Sequence, residues 1–172
     1  MTGISSVLAL LALGASFAAS AADFRTLDFG ARCDNVPALE AAQGSGPFDE
    51  RLPSGYQFAF RGRFVDHDTV IGYSCRDGVF YRGAYIFDVA DQAEATQLYR
   101  VLKQRVTRER GAPSYDFASG EYRQKMKAVG ATLSLVDTQV AFWNGKRDEA
   151  HLSAAEPSRG HGWRVSLSYT AN

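Results

Sequence analysis

Three observations predict an α+β fold: an antiparallel sheet of about six to eight strands with helices on one face. One long amphipathic helix spans Gln92 to Arg110. Much of the chain on either side alternates apolar and polar residues at the period of a strand. Two dipeptides, Asp77-Gly78 and Asn144-Gly145, have the chemistry of tight hairpin turns. A lone amphipathic helix is marginal in water, so its apolar stripe must lie on the sheet.

The chain opens with a segment outside this fold. Ile4 to Phe17 is apolar, and Ala19-Ser20-Ala21 and Ser20-Ala21-Ala22 both offer small residues where a signal peptidase reads. Residues 1–22 are therefore read as a signal peptide. The run falls short of the ~20 apolar residues of a comfortable membrane span. No Lys or Arg precedes it, and no Cys follows closely enough for a lipid anchor. The mature chain is expected in the periplasm or outside the cell, without stable membrane insertion. It divides into a first α+β module, 23–88, and a second, 89–172, sharing one core. Acids and bases number 19 each, but residues 23–94 hold 12 acids and 7 bases. The surplus of bases falls in the second half and is densest from Arg100 to Lys127. Zero net charge and export argue against nucleic acid as a partner, so the basic stretch reads as a solvated helix face.

Phe24 to Phe29 reads as a short strand or an extended lead-in. Asp34 and Asn35 suit an N-cap and Pro37 a first helical turn, so a short helix runs through Ala38, Leu39, Ala41 and Ala42 to Gly44. Gly44 to Ser54 is a polar loop. Tyr56, Phe58 and Phe60 alternate with Gln57, Ala59 and Arg61 in a first strand. Asp66-His67-Asp68 supplies a turn into a second strand, Thr69 to Cys75, and Asp77-Gly78 turns it into a third, Val79 to Phe87. A regular ladder across that hairpin pairs Cys75 with Phe80, Tyr73 with Arg82 and Ile71 with Ala84. Cys33 and Cys75, the only cysteines, are too far apart for a Cys-x-x-Cys motif and too few for a zinc site made of cysteine. In an oxidising compartment they pair as a structural disulfide.

The main helix has Asp91 as N-cap, with Glu94 completing a capping box. Ala95, Leu98, Tyr99, Leu102 and Val106 form its stripe, and Arg105, Arg108 and Arg110 crowd its negative end. Gly111 stops it ahead of Pro113. After a loop to Gly120, Tyr122, Met126 and Val129 fit a short helix ended by Gly130. Ala131 to Val136, Gln139 to Trp143 and, beyond Asn144-Gly145, Arg147 to Ala155 are strands. Pro157 to Gly162 is a loop. Trp163, Val165, Leu167 and Tyr169 then alternate with polar residues in a closing strand.

Both halves run helix, Gly, Pro, strands, a weak internal repeat. This order, the helix-Gly-x-Pro at Gly111 to Pro113 and the Tyr-x-Cys at Tyr73 to Cys75 resemble a superfamily of small exported α+β modules. That superfamily includes the β-lactamase inhibitor proteins and small outer-membrane assembly lipoproteins. The resemblance spans Asp28 to Thr170 and implies a binding protein rather than an enzyme. The lipoproteins' anchoring Cys is missing here, the first helix is short where the family has paired helices, and no functional residue carries over.

The chain has no Gly-x-Ser-x-Gly elbow and no phosphate-binding glycine loop. His67, His151 and His161 lie far apart without ligand spacing. Asp66-His67-Asp68 is the one local cluster with acid–base or metal chemistry, though Asp also favours turns for its own backbone bonding. Glu149 and His151 share one strand face. No catalytic set, metal site or cofactor is nominated. The expected function is a soluble exported binding or interaction module whose partner is another protein or a second copy. The alternatives are a cell-envelope hydrolase using acidic and histidine side chains, or an envelope assembly factor. The regular ladder carries Ile71, Tyr73, Phe80, Ala84 and Ile86 to the helix-covered side with Cys75. It leaves Val70, Tyr81, Tyr85 and Phe87 on the open side as the candidate binding surface.

Overall fold

A 3₁₀ turn at Cys33–Asn35 leads into α1 (Val36–Ala42) and a short strand, β1 (Gly46–Pro47). The meander β2 (Phe58–Phe64), β3 (His67–Arg76) and β4 (Val79–Val89) follows, and then α2 (Gln92–Arg110). The second half runs β5 (Tyr115–Phe117), α3 (Glu121–Ala128), β6 (Leu135–Asn144), β7 (Asp148–Pro157) and β8 (Trp163–Ala171). The structure is a computed structural model describing residues 23–50, 52, 55–117, 120–130, 135–157 and 162–172. The expected signal peptide, His161 and part of the Ala131–Val136 strand lie outside the described residues.

The eight strands form one antiparallel sheet in the order β1-β2-β3-β4-β8-β7-β6-β5. The α+β architecture expected from the sequence is the one found. The last strands of the two halves, β4 and β8, pair at the centre, from Arg82↔Thr170 to Val89↔Trp163. Each half sends its short strand to an outer edge.

α2 has the predicted bounds, and every residue of its stripe is buried, against β7 and β8. Asp91 accepts from the Glu94 amide at 2.9 Å, while Glu94 Oε2 accepts from the Ala90 amide at 3.0 Å, one residue earlier than a capping box requires. α3 meets the β5–β6 edge, with Tyr122 5.4 Å from Phe117 and 5.8 Å from Phe142 between ring centres. Cys33 and Cys75 are bridged, tying the start of the first helical segment to the end of β3.

Several turns depart from expectation. The β2–β3 turn is Val65-Asp66, both at positive φ (46° and 66°), so His67 and Asp68 belong to β3. A two-residue hairpin needs positive φ at both positions, and Val accepts it here despite its branched side chain. Asn144 remains in β6 opposite Glu149, so the second turn is the longer Gly145–Asp148, closed by the Gly145 amide on the Asp148 carbonyl at 2.8 Å. β5 occupies what reads as loop. β2 starts at Phe58 because Tyr56 lies across Gly72, where an added Cβ would meet its ring at 2.6 Å.

The largest departure is one extra residue in β4. Cys75 pairs with Phe80 as expected, but Ser74 then pairs with Arg82, leaving Tyr81 as a bulge. Every later pair shifts by one: Tyr73 opposes Gly83 and Ile71 opposes Tyr85. Because side chains alternate, a one-residue slip exchanges the faces. Tyr85 (5% exposed) and Phe87 (1%) therefore join α2 in the main core, whereas Ala84 and Ile86 turn to the other side beside Gly72 and Val70. The candidate surface is corrected accordingly: Tyr85 and Phe87 are core, and only Val70 and Tyr81 remain outside it, both half-buried.

Tyr85→Ala is expected to destabilise by about 3–5 kcal/mol through lost burial and a cavity, and Tyr81→Ala by about 1 kcal/mol or less. Urea unfolding of both variants checks this, and equal losses would contradict the bulge.

Candidate functional site

The N-terminal segment builds the site. Phe24 and Leu27 bridge each other around a two-residue turn in which Arg25 has positive φ (54°). The Phe24 ring lies over Gly83, where an added Cβ would come within 2.3 Å of it. Tyr73, Phe80, Tyr85 and Tyr169 surround the ring at 4.9–6.1 Å between centres. Gly83 thus provides the gap into which the segment docks.

Docking brings Arg25 to Glu40 of α1. Glu40 is fully buried, and its carboxylate accepts from the Tyr73 hydroxyl and from Ser45 Oγ at 2.6 Å. Arg25 Nε stands 2.7 Å from Glu40 Oε1, near enough for an ion pair but off the line of a hydrogen bond. Burial, then the hydrogen bond to Glu40, pushes the Tyr73 phenol far above its ordinary value. Burial pushes Tyr85 up to about 12, against the opposing pull of Arg25.

Above this layer is a cleft of about 550 Å³ between the N-terminal segment and the C-terminal half of α2. Phe24, Phe64, Tyr85 and Tyr169 line it with Arg25, Arg105, Arg110 and Arg147, together with Asp23, Glu109 and Asp148. Phe64 stacks on Tyr85 at 3.9 Å and 8°, and the Arg105 guanidinium lies 4.7 Å from the Phe64 ring centre. Arg110 lies 5.0 Å over Tyr169 and grips Asp148 with both terminal nitrogens. Arg105 Nε is 3.1 Å from Glu109. The Arg147 side chain has no ion pair or hydrogen bond among the described residues. Arginine tolerates this setting because its flat, weakly hydrated cation stacks on rings while its N–H edges stay free for hydrogen bonds.

The sequence-nominated polar residues are placed elsewhere. Asp66 and His67 share a hollow of about 290 Å³ with Asp68, Asp88 and Glu94. There Asp88 pairs with Arg164 at 2.7 Å, Asp68 with Arg63 at 3.6 Å, and Glu94 serves the helix start. No group of three or more His, Cys, Asp or Glu residues able to hold a metal occurs among the described residues. Glu149 is exposed, while His151 stacks on Phe142 at 4.5 Å, its Nε2 buried and without a hydrogen-bond partner among the described residues. Burial, helped by the Arg82 charge, lowers His151 to about 4, so it stays neutral in ordinary conditions. Val70 lines a separate hollow with Ile86, Arg61 and Arg63.

Sequence reasoning missed the cleft because its parts come from six separate places in the chain. Arg105 and Arg110 were visible only as charges suited to a helix end. Glu40 gave no signal of burial. No family model, curated protein or solved structure matches the chain.

Two outcomes are expected. Glu40→Leu leaves Arg25 without its partner and costs about 3–5 kcal/mol, whereas the double change Arg25→Met with Glu40→Leu costs less, as urea unfolding would show. His151 is harder to protonate folded than unfolded, so its contribution is full above pH 6.5 and falls as pH drops from about 6.5 to 4. Stability measured across that window should decline, and His151→Gln should flatten the slope.

Proposed function

We propose that the chain is an exported binding protein without catalytic activity, whose ligand sits in the cleft between the N-terminal segment and α2. The carrying observation is the lining: arginines lying over aromatic rings, with hydrogen-bonding groups beside an apolar floor. Ligand sites commonly combine such a floor with a few oriented polar groups, and the volume is in the range that holds a small molecule. Export is supported by the bridged cysteines, since disulfides persist in oxidising compartments. No helix among the described residues is long and apolar enough to cross a membrane.

The hydrolase alternative needs an accessible acid–base pair. His151 is buried and neutral, and the carboxylates around His67 are largely committed to arginines and a helix cap. The cleft arginines can orient and stabilise an anion, and burial pushes the Tyr85 and Tyr169 phenols up, so they hold their protons near neutral pH.

The test is a thermal-melting screen of anionic, neutral and cationic small molecules. At least one anionic class is expected to raise Tm by about 5–10 °C at a hundredfold excess over Kd. Arg105→Gln should remove that rise. A screen in which only cations stabilise the protein would overturn the reading.

A further inference from the structure

We propose that the cleft takes a small monocarboxylic acid with an aromatic body; this rests on the binding reading above and names its ligand class. Charge sets the valence. Four arginines face three carboxylates along the walls. Arg105 is matched by Glu109, Arg110 by Asp148, and Arg25 by Glu40 behind the wall. Asp23 accepts the Phe29 amide at 2.9 Å. Arg147 is left as the cation without a side-chain partner among the described residues. Asp23 has no ion pair among the described residues either, so with Glu40 counted the four arginines meet four carboxylates. Arg147 is the one open cation in a balanced setting, which suits a single negative charge, and a dianion such as phosphate would bring repulsion from those carboxylates.

Geometry sets the shape of the anion. A guanidinium lying on a ring cannot meet an anion through its covered face, only along its N–H edge. Edge-on pairing is the bidentate geometry that a planar carboxylate matches. The Arg105 guanidinium carbon lies 4.7 Å from the Phe64 ring centre and its Nε is turned to Glu109, so the edge it leaves open is that of its terminal nitrogens, free of hydrogen bonds among the described residues. The floor sets the rest of the ligand. Tyr85 and Arg105 lie against Phe64, and Arg110 lies over Tyr169, so the floor offers mainly ring edges, to which a flat apolar body packs edge-on.

The test is calorimetric titration of the purified protein with four probes: 2-naphthoate, the neutral 2-naphthalenemethanol, acetate and inorganic phosphate. Naphthoate is expected to bind at least about tenfold more tightly than each of the others. Arg105→Gln should weaken naphthoate about tenfold or more, while Arg82→Gln, on the opposite face of the sheet, should leave it unchanged. If Arg105→Gln fails to melt cooperatively, Arg147→Gln takes its place with the same expected loss. Equal binding of naphthoate and its neutral analogue would overturn the proposal, because the charge would not be read. Phosphate or acetate binding as tightly as naphthoate, and lost on Arg105→Gln, would overturn the aromatic acid while leaving the binding reading intact. No heat from any probe, together with a null melting screen, would sink both.

Discussion

The extra residue at Tyr81 sets the face of everything that follows it in β4. Before the bulge, Phe80 lies beside Cys75; after it, Gly83 lies opposite Tyr73 and Tyr85 opposite Ile71. A regular ladder would have turned Arg82 and Ala84 toward the helices and left no gap for Phe24. With the bulge, a glycine falls among Tyr73, Phe80, Tyr85 and Tyr169, and the N-terminal segment plugs the opening. The disulfide acts at the same corner, fixing Cys75 against Cys33 close to where the register changes. Cleft, plug and bridge therefore share one local irregularity.

The plug carries a charge into the interior, and that charge has to be matched. Arg25 is 10% exposed and Glu40 not at all, so both lose most of their hydration on folding. Desolvation of such a pair can consume the Coulombic gain, which makes it a poor source of net stability. Its effect is better seen in geometry. Tyr73 and Ser45 fill the remaining positions on Glu40, so the carboxylate is held from three directions and Arg25 is held with it. That orders one wall of the cleft, and a pre-ordered site would lose less conformational freedom on binding the ligand proposed for it.

What could be read from the sequence follows how local each cause is. α2 was legible to the residue because its cap, stripe and stop all lie within its own twenty or so positions. The Asp77-Gly78 turn and the closing strand were legible for the same reason. The disulfide followed from there being two cysteines in a chain that reads as exported. The bulge was not legible, since nothing in Phe80-Tyr81-Arg82 distinguishes an extra residue from a regular one. Nor was Val65-Asp66, because a β-branched residue at positive φ runs against local preference and is imposed by the strands it joins. The candidate surface failed with the bulge: Tyr85 and Phe87 had the right chemistry for a contact and were assigned to the wrong side. The cleft failed for a different reason. Arg25, Phe64, Arg105, Arg147 and Tyr169 meet only after β4 and β8 have paired across the centre of the sheet.

That meeting also changes the meaning of the uneven charge. The basic surplus in the second half reads from sequence as a solvated helix face, and Arg108 is exposed as that reading requires. Arg105 and Arg110 are not: they are half-buried, lying on rings contributed by β2 and β8. Three residues before Arg108 and two after it on α2, they flank the buried stripe, while Arg108 points away from the sheet. The same run of arginines therefore does two things, one cation keeping the helix wet and two entering the cleft. Counting charges along the chain cannot separate those roles, because helical phase decides which of them turn inward. Phase alone is not sufficient either. Arg105 lies over Phe64, and Phe64 stacks on Tyr85, so the placing of a cation on the helix depends on the register of a strand on the far side of the core.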